Sequence, residues 1–192
     1  VVEVTDDKVE QPAWQRVYLC PSHATGKPGE SEALEVLAHL LGGGATSYLY
    51  RKLVVEGHKA VAAGAYYAGS ALDDTRFFLY GMPSEDVSLA ELDAAFDAAV
   101  DGFIAEGVSA EDLERGKTRL VAEAVYAQDS QAALARWYGA SLATGQTIAD
   151  VQAWPSRIEA VTAEQVVEAA KTWLDRRRAV TGFLTHPEHK AA

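Results

Sequence analysis

Three consecutive glycines, Gly42-Gly43-Gly44, constrain this chain more than any other feature of its sequence. Glycine weakens a helix and takes positive φ without a Cβ penalty, so a helix that reaches this run must stop. One does reach it: Leu34, Leu37, Leu40 and Leu41 recur at helical spacing over Ser31 to Leu41. Beyond the glycines, Thr46 or Ser47 is placed to cap a second helix with Leu49, Leu53 and Val54 on its apolar face. The stretch reads either as a tight helix-to-helix corner or as a backbone surface that a peptide or partner segment can approach closely. Because the third glycine is surplus to a C-cap, the second reading makes Gly42, Gly43, Gly44 and Ser47 the candidate substrate- or partner-facing residues. It is not a phosphate loop, since neither G-x-x-x-x-G-K-[ST] nor a G-x-G-x-x-G after a strand is present.

At 192 residues and 48% hydrophobic content, the chain suits one domain with a substantial core. Its 17 basic and 28 acidic side chains leave a net charge of −11, a poor match for a phosphate backbone. The short basic run Arg176-Arg177-Arg178 follows the last expected helix, where cations offset the negative end of the dipole. The single cysteine, Cys20, rules out an internal disulfide, and its apolar neighbours Val17, Tyr18 and Leu19 point to a buried, inert thiol. No apolar run approaches the roughly 18 residues of a membrane span. No signal-peptide pattern opens the chain, and its start at Val1 suggests a fragment or a processed product.

Taken in order, residues 1–14 read as an extended leading segment and Arg16 to Cys20 as a strand ended by Pro21. After the glycine corner, Ala60 to Ala68 and Thr75 to Met82 read as a strand pair joined by a turn at Ser70 to Asp74. From Ser88 the chain is mostly helical. Capping boxes open at Ser88-Leu89-Ala90-Glu91 and Thr162-Ala163-Glu164-Gln165. Between them, helices are expected from Ser109 to about Tyr126, from Ser130 to Leu142, and after Thr147, the last interrupted by Pro155. Ala179 to Leu184 closes as a strand. This order implies an α+β domain over residues 15–185, its mostly antiparallel sheet covered on one face by helices, with a polar tail at 186–192.

No complete active site is visible. The five histidines are His23, His39, His58, His186 and His189. His186-Pro187-Glu188-His189 is tempting as a metal pair, but the proline and the chain end favour a polar tail. No G-x-S-x-G elbow marks a nucleophile, and Glu111, Asp112 and Glu114 are explained by a helix start. A small-molecule enzyme built on His58 or the tyrosines is the least supported reading.

Several stretches in the right order resemble the second half-domain of M16-family zinc peptidases, which include pitrilysin, insulysin and the mitochondrial processing peptidases. They are Leu41-Gly42-Gly43-Gly44 with Ser47-x-Leu49-Tyr50-x-x-Leu53-Val54, then Val108-Ser109-x-x-Asp112-Leu113-x-Arg115-x-Lys117. Trp137-Tyr138-Gly139 before Gly145, and Val161-Thr162-Ala163-Glu164-x-Val166, complete the match, which covers about residues 12 to 185. The resemblance implies a processing-peptidase-like α+β roll. It also implies that zinc, and the His-x-x-Glu-His that holds it, belong to the other, N-terminal half-domain, since that motif is nowhere in this chain.

Many second half-domains of the family supply an Arg and, seven residues later, a Tyr that hold the substrate carbonyl. Alignment on Ser47 and Leu49 puts Val54 and Val61 at those positions, so this chain departs from the pattern at both. What the resemblance then implies is a non-catalytic half-domain of an M16-type zinc metallopeptidase. Its partners would be the zinc-bearing half-domain, a second M16-type subunit and unfolded peptide in a shared chamber. The rival implication is an inactive homologue kept as a scaffold or assembly subunit. Bacterial members of this type are often exported, which favours the periplasm.

Overall fold

The computed structural model describes residues 1–187. Five strands form one mixed sheet: β1 (Val2–Thr5), β2 (Ala13–Cys20), β3 (Ala60–Tyr67), β4 (Thr75–Pro83) and β5 (Ala179–Thr185), in the spatial order β1-β5-β2-β4-β3. β1 runs parallel to β5 and the other pairings are antiparallel. The helices are α1 (Glu30–Gly42), α2 (Leu89–Glu106), α3 (Ala110–Ala127), α4 (Gln131–Ala143), α5 (Ile148–Glu159) and α6 (Ala163–Trp173). A 3-10 turn at Arg176–Arg178 leads into β5. This is the α+β class that the order of elements implies.

Period-two burial shows why one face of the sheet is covered. Trp14, Tyr18 and Cys20 of β2, Phe77 and Leu79 of β4, and Phe183 of β5 all point inward. They meet Leu34, Leu37 and Leu41 of α1, Leu92 and Phe96 of α2, and Val166 and Ala170 of α6 in a single core. Trp14 stacks on Phe96 at a centroid distance of 4.0 Å, joining the central strand to α2.

The same strand buries a charge. Arg16 is 2% exposed and pairs with Asp93 and Asp97 of α2, while its Nε donates to Thr181 Oγ1 of β5 at 2.9 Å. Arg176 reaches Asp97 Oδ2 at 2.6 Å, Arg177 pairs with Asp175 at 2.7 Å, and Arg178 lies over Trp173. The basic run is therefore partnered within the chain while its side chains stay at the surface. A second polar seam fastens α1 to the outer helices. Trp173 Nε1 donates to Glu30, Arg157 pairs with Glu32, and Trp154 Nε1 and His23 Nε2 share Glu35.

Several local expectations are refined. Residues 2–5 of the leading segment form an edge strand, whose partner β5 is nearly the whole chain length away. The helix after the glycine corner opens with α-helical geometry at Tyr48 and Leu49, then widens into a π-helix at Tyr50–Glu56, closed by Gly57 N–H to Lys52 O at 3.0 Å. Neither Thr46 nor Ser47 caps it through a side chain: Thr46 Oγ1 instead accepts from Arg119, and no side-chain cap bond is present.

Pro155 does not interrupt α5, which runs from Ile148 to Glu159. The proline removes one backbone donor, and the helix stays anchored by the Thr147–Asp150 capping box, by Arg157 and by the buried Ile158. The boxes at Ser88 and Thr162 form as their sequences imply.

Candidate functional site

The four residues singled out around the glycine corner split into two pairs. Gly42 and Ser47 are buried, whereas Gly43 and Gly44 face solvent. Gly42 sits where α1 crosses β3 at backbone contact, and a Cβ there would lie 1.9 Å from Ala65 N and 2.5 Å from Gly64 C. Gly43 takes φ −78° and donates its N–H to His39 O, closing the helix. Gly44 takes φ +128° with open space where a Cβ would stand, so it turns the chain away from α1.

The corner forms one wall of a cleft of about 100 Å³, completed by the end of α2 and the first half of α3. Tyr48 and Phe103 meet edge to face on its floor at 5.3 Å, and Arg51, Arg115 and Arg119 stand around it. Glu106 and Asp112 also line it. Glu106 accepts from the Tyr48 hydroxyl at 3.0 Å, and Asp112 is held by Ser109 and Arg115. Burial, and then the carboxylate of Glu106, push the Tyr48 hydroxyl up to about 12, so it stays a donor. Burial lowers His39 below its ordinary value, which leaves its ring neutral beside these cations at neutral pH.

A larger surface lies on the opposite side of the sheet, where no helix packs. The pairing register aligns Val180, Val17, Phe78 and Tyr66 in one row across β5, β2, β4 and β3. Around that row Leu19, Tyr66 and Val180 are 53%, 60% and 57% exposed, and Tyr80, Met82 and Leu184 are exposed as well. This face went unremarked in the sequence, although its signal was there. Leu19 between Tyr18 and Cys20, and Phe78 between Phe77 and Leu79, put apolar side chains at both parities of a strand.

The two positions that the family resemblance assigns to carbonyl binding lie at the β3 end of the domain. Val54 is half-buried against the core in the π-helical segment. Val61 is exposed at the bulge of β3 and lines a cleft with Pro12, Pro83 and Leu89. Two aliphatic side chains can donate no hydrogen bond to a carbonyl.

The described residues contain no grouping of three or more His, Cys, Asp or Glu side chains that could hold a metal ion. His23 is committed to Glu35 at 2.9 Å. Burial by itself would depress its pKa, but the Glu35 hydrogen bond and charge outweigh this and raise it. His58 adopts φ +50° at the turn into β3, and His189 lies outside the described residues. Cys20 is fully buried and burial pushes its thiol up to about 12, which makes it inert as a nucleophile near neutral pH.

A sequence model of the family described as the peptidase M16 inactive domain matches residues 1–120. Among curated proteins there is no significant match. Among solved structures, a protease from Helicobacter pylori superposes on 96% of this chain at 18% identity with a TM-score of 0.86, and the chain spans 43% of that protein's length. The inactive peptidase domain of a zinc-protease candidate from Bordetella parapertussis shares 94% of this chain and 94% of its own at 16% identity, with a TM-score of 0.78. A chain of complex III2 from Candida albicans matches 96% of this chain and 45% of itself at 13% identity, with a TM-score of 0.75. At these identities the likeness is one of fold.

Proposed function

The chain belongs to the peptidase M16 inactive-domain family, and on that premise we propose that it is the non-catalytic half of a zinc metallopeptidase, walling a peptide chamber beside the zinc-bearing half-domain. The observation that carries this reading is the helix-free face of the sheet. Leu19, Tyr66, Tyr80, Met82 and Val180 are exposed together on one sheet face rather than scattered, and grouped apolar side chains of this kind mark interaction sites. Open and largely apolar, with Gln15 and Arg76 as polar side chains in the same rows, it suits contact with many unfolded sequences rather than recognition of one.

Zinc does not fit this half. No described cluster could ligate it, and Val54 and Val61 offer no carbonyl clamp. The metal and its activated water are assigned to the other half-domain, and the work of this chain is to pack and to enclose. The chain's 43% share of the Helicobacter pylori protease supports a partner of comparable size. A second reading, a scaffold subunit without peptidase function, draws support from the likeness to a subunit of complex III2.

Co-expression with the zinc-bearing half-domain separates the two. Tyr66→Asp combined with Val180→Asp places charge on the open face without touching the core, and each should cost up to about 1 kcal/mol of strand propensity and cross-strand packing, which a melt of the variant measures separately from turnover. The peptidase reading expects the wild-type pair to hydrolyse unfolded peptide and the variant pair to lose most of that turnover. Wild-type turnover by the variant removes the sheet face from the function. A stable wild-type complex with no turnover leaves the scaffold.

A further inference from the structure

The cleft beneath the glycine corner is not used by the half-domain reading, and its chemistry is specific. The Ser47 side chain is buried, the residue being 5% exposed, and its Oγ has no hydrogen-bond partner among the described residues. A buried hydroxyl left unpaired is unfavourable, and turning the Ser47 side chain about χ1 onto a ligand group in the cleft would relieve the deficit. Of the three arginines around the cleft, Arg51 pairs with Glu56 at 3.7 Å and Arg115 with Asp112 and Glu111. Arg119 differs: its Nη1 donates to the neutral Thr46 hydroxyl at 2.6 Å, and it forms no ion pair among the described residues. The two lining acids are already engaged, Glu106 by Tyr48 and Asp112 by Arg115 and Ser109. One guanidinium charge is thus left unmatched, in a chain of net charge −11.

The floor has the opposite character. Leu40, Tyr48 and Phe103 line it, and of the three Leu40 is the most open, Tyr48 and Phe103 being 8% and 4% exposed. About 100 Å³ holds one side chain and excludes a folded segment.

From this pairing of apolar floor and unmatched cation we infer that the cleft binds the C-terminal residue of a peptide, its side chain against Tyr48 and Phe103 and its carboxylate on Arg119 and Ser47. A guanidinium and a hydroxyl are both donors, the complement of an acceptor-only carboxylate. The site lies among the helices and is independent of the sheet face, so either inference can fail while the other stands.

The test is calorimetric titration of the 192-residue chain with a short uncharged peptide ending in leucine, as its free acid and as its amide, and with inorganic phosphate. Saturable binding of the acid is expected, with the amide and the Arg119→Gln variant each weaker by about tenfold or more. Ser47→Ala should weaken the acid by a smaller factor. Arg178→Gln, which does not line the cleft, should bind as the wild type does. Arg119 is exposed, so Arg119→Gln should melt with the wild type and its loss of binding cannot be ascribed to unfolding. Absence of saturable binding by the acid overturns the inference, as do equal affinities for acid and amide or an unaffected Arg119→Gln. Phosphate binding as tightly as the acid would also overturn it, because the apolar floor would then contribute nothing.

Discussion

Gly42 and Gly44 are neighbours of one kind with different reasons to be glycine. At Gly42 the obstacle to a side chain is the backbone of β3, which cannot swing aside, since a Cβ would stand 1.9 Å from Ala65 N. Gly42→Ala must therefore push α1 off the sheet, and a loss of about 3 kcal/mol or more is expected, at the upper end of overpacking costs. At Gly44 there is room for a Cβ but φ is +128°, so Gly44→Ala should cost about 1 kcal/mol through backbone strain alone. Denaturant melts of the two variants check the ranking, and a Gly42→Ala protein as stable as Gly44→Ala would dismiss the close-packing account. Ser47, between glycines and helix, looks like a cap in the sequence and does not serve as one, and that leaves its hydroxyl buried and, among the described residues, unpaired beside the cleft.

At the scale of elements, α2 is held to the central strand by both kinds of force. Its apolar face stacks Phe96 on Trp14, and one turn apart Asp93 and Asp97 grip the buried Arg16. Trp14 Nε1 also donates to Asp93 Oδ1 at 2.7 Å. Removing the arginine would leave, among the described residues, Asp93 with the Trp14 N–H alone and Asp97 with the largely exposed Arg176 alone, which costs more than the buried pairing contributes when intact. Arg16→Ala should therefore destabilise the domain by about 3 kcal/mol, and adding Asp93→Asn and Asp97→Asn to it should recover part of the loss. Thermal melts of Arg16→Ala, of the Asp93→Asn Asp97→Asn double variant and of the triple variant measure this, and additive losses would show that the charges are not coupled. In contrast, α4 has only Ser141 buried, and its Trp137 meets Trp154 of α5 edge to face at 5.7 Å. Its Leu134, Trp137, Tyr138 and Leu142 are apolar at helical spacing, yet Leu142 is 48% exposed.

On the scale of the whole molecule, the domain has one face closed by helices and one face open. That asymmetry is what the proposed half of an enclosure calls for, and among the described residues no cluster able to hold a metal ion accompanies it. The purified chain should carry far less than one equivalent of zinc after dialysis near neutral pH, and should not hydrolyse unfolded peptides. Metal analysis and a peptide assay on the same preparation test both expectations. One tightly held zinc, lost on substituting His186 or His189, would place a metal site in this chain and end the non-catalytic reading.

Sequence alone determined the elements whose causes are local. Leucines at helical spacing, the capping boxes at Ser88 and Thr162, and the glycines after Leu41 act within a turn or two, so α1, α2 and α6 are legible residue by residue. The ordered family motifs likewise pointed to the M16 fold, and the absence of His-x-x-Glu-His is a property of the string itself. Tertiary structure decided whatever depends on partners distant in the chain. β1 is a strand because β5, at the other end of the domain's sequence, offers it a free edge. Arg16 looks like a surface residue until Asp93 and Asp97 arrive from α2 to neutralise it. Pro155 lies inside an unbroken α5 whose next turn is tied to α1 through Arg157 and Glu32, a contact the sequence does not reveal. The open sheet face and the arginine-lined cleft belong to this second class. A strand with apolar residues at both parities does not reveal which face the helices will cover, and Ser47 and Arg119 are brought to one cleft only by the packing of α3 beside the glycine corner.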